Sequence, residues 1–227
     1  ISTCVPGRAS GSSTPTAGWG RSRSTPRFTR TGRPAPMPLE APLPAAPDRA
    51  TRLNERYRHH GATAVLERAL ADPQVGRLAL VSSFGAESVV LLHMVSVLDR
   101  TLPVLFLETG MLFPETLAYQ QEVSARLGLT DVRLIRPGDA AEADPDGMLH
   151  RTDPDACCAL RKTRPLEAAL GPFDAWITGR KRFQGGARET LQFFEADAEG
   201  RIKVNPLAHW TRDDIADYMT NNRLPRH

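Results

Sequence analysis

The sequence Leu78-Ala-Leu-Val-Ser-Ser-Phe-Gly-Ala-Glu-Ser-Val-Val-Leu-Leu-His-Met-Val-Ser-Val-Leu98 contains the strongest signal of the fold. Residues 78–81 form a short apolar run bounded by a turn, which is typical of a buried parallel strand. Between residues 88 and 98 the apolar side chains recur at helical spacing. A serine-rich loop with Gly85 near its centre joins the two parts. The stretch therefore predicts a strand, a tight loop and a helix in succession.

The same alternation continues towards the C-terminus. Further apolar runs predict three strands, at residues 104–107, 132–135 and 175–178. Helical spacing predicts helices at residues 114–127 and 160–170, and another that follows Thr211 as its cap and runs to Tyr218. Before the first strand, residues 49–71 have a broken helical pattern, which predicts two short helices separated at Gly61. Strands that alternate with helices favour an α/β fold: a doubly wound, mostly parallel sheet with helices on both faces.

The charge is distributed unevenly along the chain. The 227 residues have a formal net charge of +3, and residues 1–36 contain six arginines and no acidic residue. Without those six, 23 basic residues stand against 26 acidic ones, so residues 37–227 have a net charge of −3. The basic character therefore belongs to the N-terminal segment, and the remainder does not indicate a nucleic-acid surface.

The N-terminal segment differs in composition from the rest. Residues 1–36 are rich in Ser, Thr, Gly, Pro and Arg, and a proline-rich stretch follows. Such segments cannot bury enough apolar surface to fold, so we expect a disordered lead at residues 1–47 and a folded domain at residues 48–227. We hypothesise that Met37, the first methionine, is the natural start. A transit peptide is the alternative, because transit peptides are also rich in Arg and Ser and poor in acids.

The three cysteines, Cys4, Cys157 and Cys158, are too few for a disulfide scaffold. Their small number indicates a reducing, cytoplasmic setting. Because no run approaches 18 apolar residues, we expect no membrane span, and the N-terminus lacks the apolar core of a signal peptide. The sequence leaves the oligomeric state open, including a homo-oligomer.

The segment Asp153-Pro-Asp-Ala-Cys-Cys-Ala-Leu-Arg-Lys162 places two cysteines side by side. Arg161 and Lys162 follow one helical turn later, and neighbouring cations favour the thiolate form that binds metal. Adjacent residues point in different directions on a helix and to opposite faces of a strand, so one apolar pocket would not require both cysteines. Two alternatives stay open: a pair of small buried side chains, and a vicinal disulfide, which fits disulfide geometry poorly.

The loop Ser82–Ser88 lies between the first predicted strand and its helix. Open α/β sheets bind ligands at this position, where free backbone N–H groups and the helix dipole attract anions. Gly85 allows a close approach to the backbone, and the three serines offer hydroxyl groups. The Gly-Lys-Ser/Thr sequence of nucleotide hydrolases is missing. The alternative is that the serines only cap the helix.

This loop resembles the modified phosphate loop of the adenine-nucleotide α-hydrolase (PP-loop) superfamily. Four further stretches narrow the resemblance: Phe106-Leu-Glu-Thr-Gly-Met-Leu-Phe-Pro-Glu-Thr116, Asp155-Ala-Cys-Cys-Ala-Leu-Arg-Lys162, Trp176-Ile-Thr-Gly179 and Lys203-Val-Asn-Pro-Leu-Ala-His-Trp-Thr211. Together the motifs resemble the assimilatory adenylyl-sulfate and phosphoadenylyl-sulfate reductases. The resemblance extends from Arg49 to His227 and implies the adenine-nucleotide α-hydrolase-like fold.

The resemblance implies two groups of substrate-binding residues. The phosphosulfate end of the nucleotide would bind the loop through Ser82, Ser83, Gly85 and Ser88. Leu107 and Thr109, at the tip of the second strand, would border the adenosine, and the alternative for Leu107 is a plain strand-core position.

A third group would close over the substrate from the segment after the fourth strand. It consists of Gly179 and the loop Arg180–Arg188. Arg188 would clamp the sulfate or phosphate, because a guanidinium binds such oxyanions through two parallel hydrogen bonds. The alternative for Arg180, Lys181 and Arg182 is solvated surface charge.

The resemblance also implies an iron–sulfur cofactor. An adjacent cysteine pair marks the members of this family that carry a [4Fe–4S] cluster and prefer adenylyl sulfate. Cys157 and Cys158 would supply two of the four thiolates, and a later Cys-x-x-Cys the other two. Lys162 would lie between the cluster and the substrate and act in catalysis by stabilising the negative charge of both.

The implied reaction is the reduction of adenylyl sulfate to sulfite and AMP, in sulfate assimilation and cysteine biosynthesis. A cysteine thiolate attacks the sulfur, AMP leaves, and thioredoxin or glutaredoxin releases sulfite from the enzyme S-sulfocysteine. The sequence ends at His227, after Asn222-Arg-Leu-Pro225 and before the Cys-x-x-Cys and tail cysteine of the family. We therefore expect a C-terminally truncated copy that binds the nucleotide but does not reduce it.

Other functions stay open at this point. Phosphoadenylyl sulfate as the substrate would need an additional cationic pocket for its 3′-phosphate. An ATP-dependent PP-loop sulfurtransferase, such as a tRNA thiolase, would use ATP and release pyrophosphate, but the segment from Cys157 to Lys162 argues against it. A non-catalytic nucleotide-binding fragment is the third alternative.

Overall fold

The computed structural model describes residues 43–227. Most of the predicted disordered lead lies outside the described residues, as does the hypothesis about Met37. Helix α1 (Ala46–Tyr57) begins two residues before the predicted start of the folded domain. Pro47 favours this start, because its fixed φ angle suits the first turn of a helix. Within the described range, no helix is both long enough and apolar enough to cross a membrane.

The described residues form a six-stranded sheet in the order β3-β2-β1-β4-β6-β5. Its strands are β1 (Leu78–Ser82), β2 (Val104–Leu107), β3 (Val132–Ile135), β4 (Ala175–Ile177), β5 (Phe194–Ala196) and β6 (Ile202–Val204). All the pairings are parallel except that between β5 and β6. The predicted doubly wound, mostly parallel sheet is therefore confirmed. The sequence pattern does not predict β5 and β6, because each has only three residues with a charged one, Glu195 or Lys203, at its centre, so that no apolar run forms.

Helices cover the connections between these strands. In chain order, those after α1 are α2 (Ala62–Ala71), α3 (Ser88–Leu98), α4 (Pro114–Leu127), α5 (Ala140–Ala143), α6 (Leu149–Thr152), α7 (Pro154–Cys158), α8 (Arg164–Leu170) and α9 (Arg212–Asn221). The bounds of α3 and α4 agree with those predicted, and the two N-terminal helices are separated where Gly61 predicts a break. The four-residue helices α5 and α6 are too short to produce a periodic pattern.

The helix predicted at residues 160–170 is longer and less regular than expected. It begins at Pro154, passes through a π-helical turn at Ala159–Thr163 and ends as α8. Pro165 has no N–H to donate to the Arg161 carbonyl, so the regular α-helical pattern cannot continue through this point. The adjacent cysteines therefore lie immediately before a π-helical turn.

The central strands β1, β2 and β4 bury both of their faces. In β1, Leu78 and Leu80 belong to a large apolar cluster, whereas Ala79 between them belongs to a smaller one. Because successive side chains of a strand point to opposite faces, the two clusters lie on opposite sides of the sheet. The same division holds in β2 and β4, with Val104, Phe106, Ala175 and Ile177 in the large cluster and Leu105 and Trp176 in the small one.

The edge strand β5 is covered by a side chain of α1. The Asn54 Nδ2 donates to the Phe194 carbonyl at 2.7 Å, and Asn54 Oδ1 accepts from the Phe194 N–H at 3.0 Å. One amide side chain thus replaces the two hydrogen bonds that a neighbouring strand would make. Since unpaired strand edges promote association with other chains, this contact also protects the edge of the sheet.

Replacement of Asn54 by leucine should destabilise the fold. The Phe194 N–H and carbonyl would lose their partners, at a cost of about 1–3 kcal/mol for each group that stays away from water. Urea unfolding followed by circular dichroism measures the change. Glu55→Leu, on the exposed side of the same helix, is the control and should have little effect. Equal stability of the two variants would contradict this role of Asn54.

Candidate functional site

The strand order creates a crevice at one edge of the sheet. β1 lies between β2 and β4. The chain passes from β1 to β2 on one side and returns later to β4 on the other side. In open α/β sheets, ligands bind outside the carboxyl ends of the strands at the point where the order reverses in this way. Here that point lies between the loops that follow β1 and β4.

The loop after β1 is held in an unusual backbone conformation. Phe84 has a φ angle of +50°, which residues other than glycine rarely adopt. Its ring is completely buried and packs edge-on against Phe106, with the ring centroids 5.0 Å apart. The Ser82 Oγ accepts a hydrogen bond from the Phe84 N–H at 3.1 Å. Such strain persists only where the surroundings impose it, and it concentrates at functional sites.

A cavity of about 470 Å³ opens beside this loop, and we call it the loop cavity. Because α3 begins at Ser88, the positive end of the helix dipole lies at the cavity. Seven of the nine predicted substrate-binding residues line it: Ser82, Ser83, Gly85, Ser88, Gly179, Arg180 and Arg188. The structure therefore brings together the loop after β1 and the arginine-containing loop after β4.

Two glycines in this lining are not required by the fold. A Cβ atom at Gly85 would meet its nearest neighbour, the Ser83 Oγ, at 3.5 Å, and one at Gly179 would meet Leu91 at 3.9 Å. These are ordinary van der Waals distances, and neither glycine has a positive φ angle. The space that the missing side chains leave is therefore available to a ligand.

Two of the cations after β4, Lys181 and Arg182, are anchored rather than solvated. Lys181 is 3% exposed, and its Nζ is 2.5 Å from a carboxylate oxygen of Glu87. The Gln184 Oε1 accepts from the Lys181 N–H at 3.2 Å and from Arg188 Nη1 at 2.6 Å. Arg182 donates through Nε to a backbone carbonyl at 2.8 Å. For Lys181 and Arg182 the alternative of a solvated surface charge is therefore wrong.

A buried asparagine holds the ends of β4 and β6 together. Asn205 is fully buried, and its Oδ1 accepts from the Thr178 hydroxyl at 2.5 Å. Its Nδ2 donates to the Gln192 carbonyl at 2.9 Å. This contact supports the turn at Gly179. Asn205 occurs in one of the motifs that carry the resemblance, but the sequence does not reveal its role, because its partners are 13 and 27 residues away.

A second cavity, of about 360 Å³, contains the cysteine pair, and we call it the cysteine cavity. Its lining includes the predicted residues Thr109, Cys157, Cys158 and Lys162, together with Met111, Leu112, His150, Pro154 and Arg161. Both cysteines are free thiols; Cys157 is buried and Cys158 exposed. Leu107 lines neither this cavity nor the loop cavity.

The two cations after the cysteines have different environments. Arg161 is buried and forms an ion pair with Asp144, with Nη2 2.7 Å from Oδ2. The hydrogen bond from Arg161 lowers the pKa of Asp144 below its ordinary value. Lys162 is exposed at the rim of the cavity, and no ion pair reaches it from residues 43–227. Of these two cations, Lys162 is therefore the one whose charge is not already paired with a carboxylate in the described chain.

The residues present fit half of the ligand set of an iron–sulfur cluster. Cys157 and Cys158 both line one cavity, and thiolates are the ligands that such clusters take. Arg161 contributes a second observation, because its Nε is buried and has no hydrogen-bond partner in the described part of the chain. A buried donor without a partner calls for an explanation, such as an acceptor bound in the cavity. Within residues 43–227, however, no three His, Cys, Asp or Glu side chains are grouped to hold a metal ion.

Comparison with known families agrees with this geometry. The model of the phosphoadenosine phosphosulfate reductase domain matches residues 77–227, which include both cavities. The chain belongs to this family. Among curated members of the phosphoadenosine phosphosulfate reductase family, an adenosine 5′-phosphosulfate reductase of Mesorhizobium japonicum is 49% identical over 178 residues, which are 78% of this chain and 70% of that protein.

A further relative supports the family, and a solved structure supports the fold. An adenosine 5′-phosphosulfate reductase of a Chelativorans species is 44% identical over 192 residues, which cover 83% of this chain and 76% of that protein. The crystal structure of a phosphoadenylyl-sulfate reductase from Candida auris, in complex with phosphate, superimposes with a TM-score of 0.69. It covers 82% of this chain and 91% of its own, at 24% identity, and so supports the adenine-nucleotide α-hydrolase-like fold of the family.

Alanine substitutions at Gly85 and Gly110 should affect stability differently. Gly110 has a φ angle of +73°, and a Cβ atom there would lie 3.3 Å from Nη1 of Arg161. We expect Gly110→Ala to lower the free energy of unfolding by about 1–2 kcal/mol because of its backbone conformation. Gly85→Ala should change it by less than about 0.5 kcal/mol. Urea unfolding of both variants tests this, and a Gly110→Ala variant as stable as the wild type would contradict it.

Proposed function

We propose that this protein reduces adenylyl sulfate (adenosine 5′-phosphosulfate) to sulfite and AMP. The observation that carries the proposal is that the loop cavity and the cysteine cavity open after neighbouring parallel strands. Ser82 of β1 pairs with Phe106 of β2, so the loops that follow leave the same edge of the sheet side by side. The adenosine 5′-phosphosulfate reductases among its relatives support the same reaction.

The phosphosulfate group would bind in the loop cavity. The hydroxyls of Ser83 and Ser88 would donate to its oxygens, the positive end of the α3 dipole would attract it, and Arg180 and Arg188 would supply positive charge. Glu87 also lines this cavity and would repel an anion. Its ion pair with Lys181 offsets that repulsion. Leu107 and Thr109, at the end of β2, would border the adenosine.

The cysteine cavity would hold the cofactor. Cys157 and Cys158 would provide two thiolates to a [4Fe–4S] cluster, and the remaining ligands would come from outside residues 43–227. When bound, such a cluster supplies iron–sulfur chemistry whose potential depends on net charge and on hydrogen bonds to its sulfurs. Lys162 would stabilise negative charge that develops on the substrate, because its ammonium group is free of other ion pairs in the described chain.

The proposed reaction balances with a dithiol as the reductant. A cysteine thiolate attacks the substrate sulfur, the bond from sulfur to the phosphate oxygen breaks, and AMP leaves. One thiolate of thioredoxin or glutaredoxin then attacks the cysteine sulfur of the S-sulfocysteine and forms a mixed disulfide, and the second thiol of the reductant closes its own disulfide and releases the enzyme thiolate. Sulfite leaves with the electron pair of the broken S–S bond. Such a reductant requires a reducing compartment, so we place the reaction in the cytoplasm.

Binding of AMP tests the loop cavity directly. Arg188→Met should weaken the affinity by about 10- to 100-fold, since a charge-assisted hydrogen bond contributes about 1.5–3 kcal/mol. Gly85→Ala should also weaken it, because the new methyl group enters space that the ligand would occupy. Isothermal titration calorimetry measures both. Arg52→Met, on the exposed side of α1, is the control. Unchanged affinity in both site variants would contradict the proposed position of the phosphate.

The role of Lys162 can be tested in a form of the protein that turns over adenylyl sulfate. Lys162→Ala should lower turnover by about a hundredfold, the usual cost of removing one preorganised electrostatic contact. Sulfite release measured with adenylyl sulfate gives this value. Arg164→Ala, which removes a neighbouring exposed cation, is the matched control. If Lys162→Ala turned over at a normal rate, the catalytic role of Lys162 would be wrong.

We further propose that the 227 residues alone form no sulfite. Their only cysteine besides the pair is Cys4, which lies outside the described residues. An assay of sulfite formation with thioredoxin, run on adenylyl sulfate and on phosphoadenylyl sulfate in parallel, tests both this proposal and the choice of substrate. Sulfite production by the chain would disprove its inactivity. In an active form, preference for the 3′-phosphorylated nucleotide would instead favour the phosphoadenylyl-sulfate alternative.

A further inference from the structure

The ion pair between Arg161 and Asp144 joins three segments of the chain. Besides contacting Asp144, Arg161 donates through Nη1 to the Thr109 carbonyl at 2.9 Å. The other oxygen of Asp144 accepts from the Leu149 N–H at 3.0 Å. The pair therefore connects the π-helical turn that follows the cysteines with the turn after β2 and with the segment between α5 and α6.

The deep burial of this pair is weak evidence that it serves stability. The side chains of Arg161 and Asp144 are 8% and 5% exposed. Removing two charges from water costs about as much as their attraction returns, and apolar residues of similar volume often stabilise a protein equally well. The alternative use of a buried ion pair is to select one arrangement of the segments that it joins.

The position of Arg161 indicates which arrangement is selected. Arg161 lines the cysteine cavity, and it also lines a neighbouring cavity together with Asp144 and Gly110. The turn after β2 packs directly on the guanidinium, because a Cβ atom at Gly110 would come within 3.3 Å of Nη1. The backbone of that turn is therefore fixed by the same side chain that follows the cysteines in the chain.

We propose that Arg161, through its ion pair with Asp144, is a positioning residue that couples the turn carrying Thr109 to helix α7, which carries the cysteine pair. The coupling keeps the adenosine end of the substrate and the cysteine pair in one fixed relation. This inference rests on the proposed function for the identity of the ligand, but the mechanical coupling of the two segments does not. Arg161 and Lys162 thus have separate roles. Arg161 positions the two segments of the chain, and Lys162 faces the charge of the groups that bind in the cysteine cavity.

A second buried ion pair provides a matched control. Nε of Arg201 lies 2.9 Å from Oδ2 of Asp197, and the two side chains are 10% and 3% exposed. Arg201 precedes β6 and Asp197 follows β5, so this pair lies at the amino ends of the parallel strands, opposite both cavities. If both ion pairs only stabilise the fold, removal of either pair should change stability and ligand binding in the same way. If the pair of Arg161 and Asp144 also positions the site, only its removal should weaken ligand binding.

The experiment compares Asp144→Asn, Arg161→Met and Arg161→Lys with the control Asp197→Asn. AMP affinity is measured by calorimetry and hydrogen exchange by mass spectrometry, and urea unfolding verifies that each variant is folded. We expect Asp144→Asn to weaken AMP binding by about tenfold, equivalent to about 1.4 kcal/mol. In the same variant, hydrogen exchange of the backbone amides should become faster both in residues 108–112 and in residues 154–163. Arg161→Lys keeps the charge but cannot make both contacts, so it should resemble Asp144→Asn; these two variants suffice if Arg161→Met does not fold.

Three results would overturn the inference. The first is AMP affinity and exchange in Asp144→Asn that match the wild type. The second is an equal loss of AMP affinity in Asp144→Asn and Asp197→Asn, which would identify general destabilisation as the cause. The third is faster exchange in only one of the two segments. If the wild type does not bind AMP, the proposed function fails, whereas exchange in the two segments still decides whether Arg161 couples them.

Discussion

The parallel pairing of β1 with β2 on one side and with β4 on the other is the constraint on which the rest of the structure depends. It places the carboxyl ends of these strands at one edge of the sheet, and the loops that follow them therefore converge there. It also buries both faces of the central strands, which is why their side chains are almost all apolar. The loop cavity arises between the loops after β1 and β4, and the cysteine cavity beside the turn after β2. Both cavities thus result from strand order rather than from any local motif.

Buried polar contacts then hold these converging loops in place. The loops have no strand neighbours to satisfy their polar groups, and buried side chains take over this role: Asn205 binds Thr178, and Arg161 binds the Thr109 carbonyl. Each of these contacts joins a loop at the carboxyl edge to another segment or to itself. Buried polar groups are tolerated only when they are partnered, so each contact requires its loop in one conformation. The strained φ angle of Phe84 persists for a related reason, because its ring is locked against Phe106.

Much of the fold could be predicted from local pattern, and the failures have physical causes. The strands predicted at 104–107 and 132–135 and the helix predicted at 114–127 agree with the structure. Their short apolar runs and helical spacing of apolar residues are local patterns that indicate a strand and a helix directly. Strands β5 and β6 are short and each is interrupted by a central charged residue, and they exist because Asn54 and β4 supply their hydrogen-bond partners. The helix predicted from residue 160 begins at residue 154 and contains a π-helical turn, since Pro165 interrupts the regular hydrogen-bond pattern. Of the nine predicted substrate-binding residues, seven meet in one cavity, Thr109 lies in the other, and Leu107 lines neither.

The sequence by itself determined the α/β class, the location of the loop Ser82–Ser88 at a strand end, and the adjacent pair Cys157 and Cys158. Each of these is a property of neighbouring residues, which chain order preserves. Only the tertiary structure decided which charges are free. Arg161 and Lys162 are adjacent in sequence, yet one is buried against Asp144 and the other is exposed, and Lys181 is buried against Glu87, 94 residues away. The free energy of a charge depends on the water and counter-charges around it, and these are set by contacts between segments that are distant in sequence.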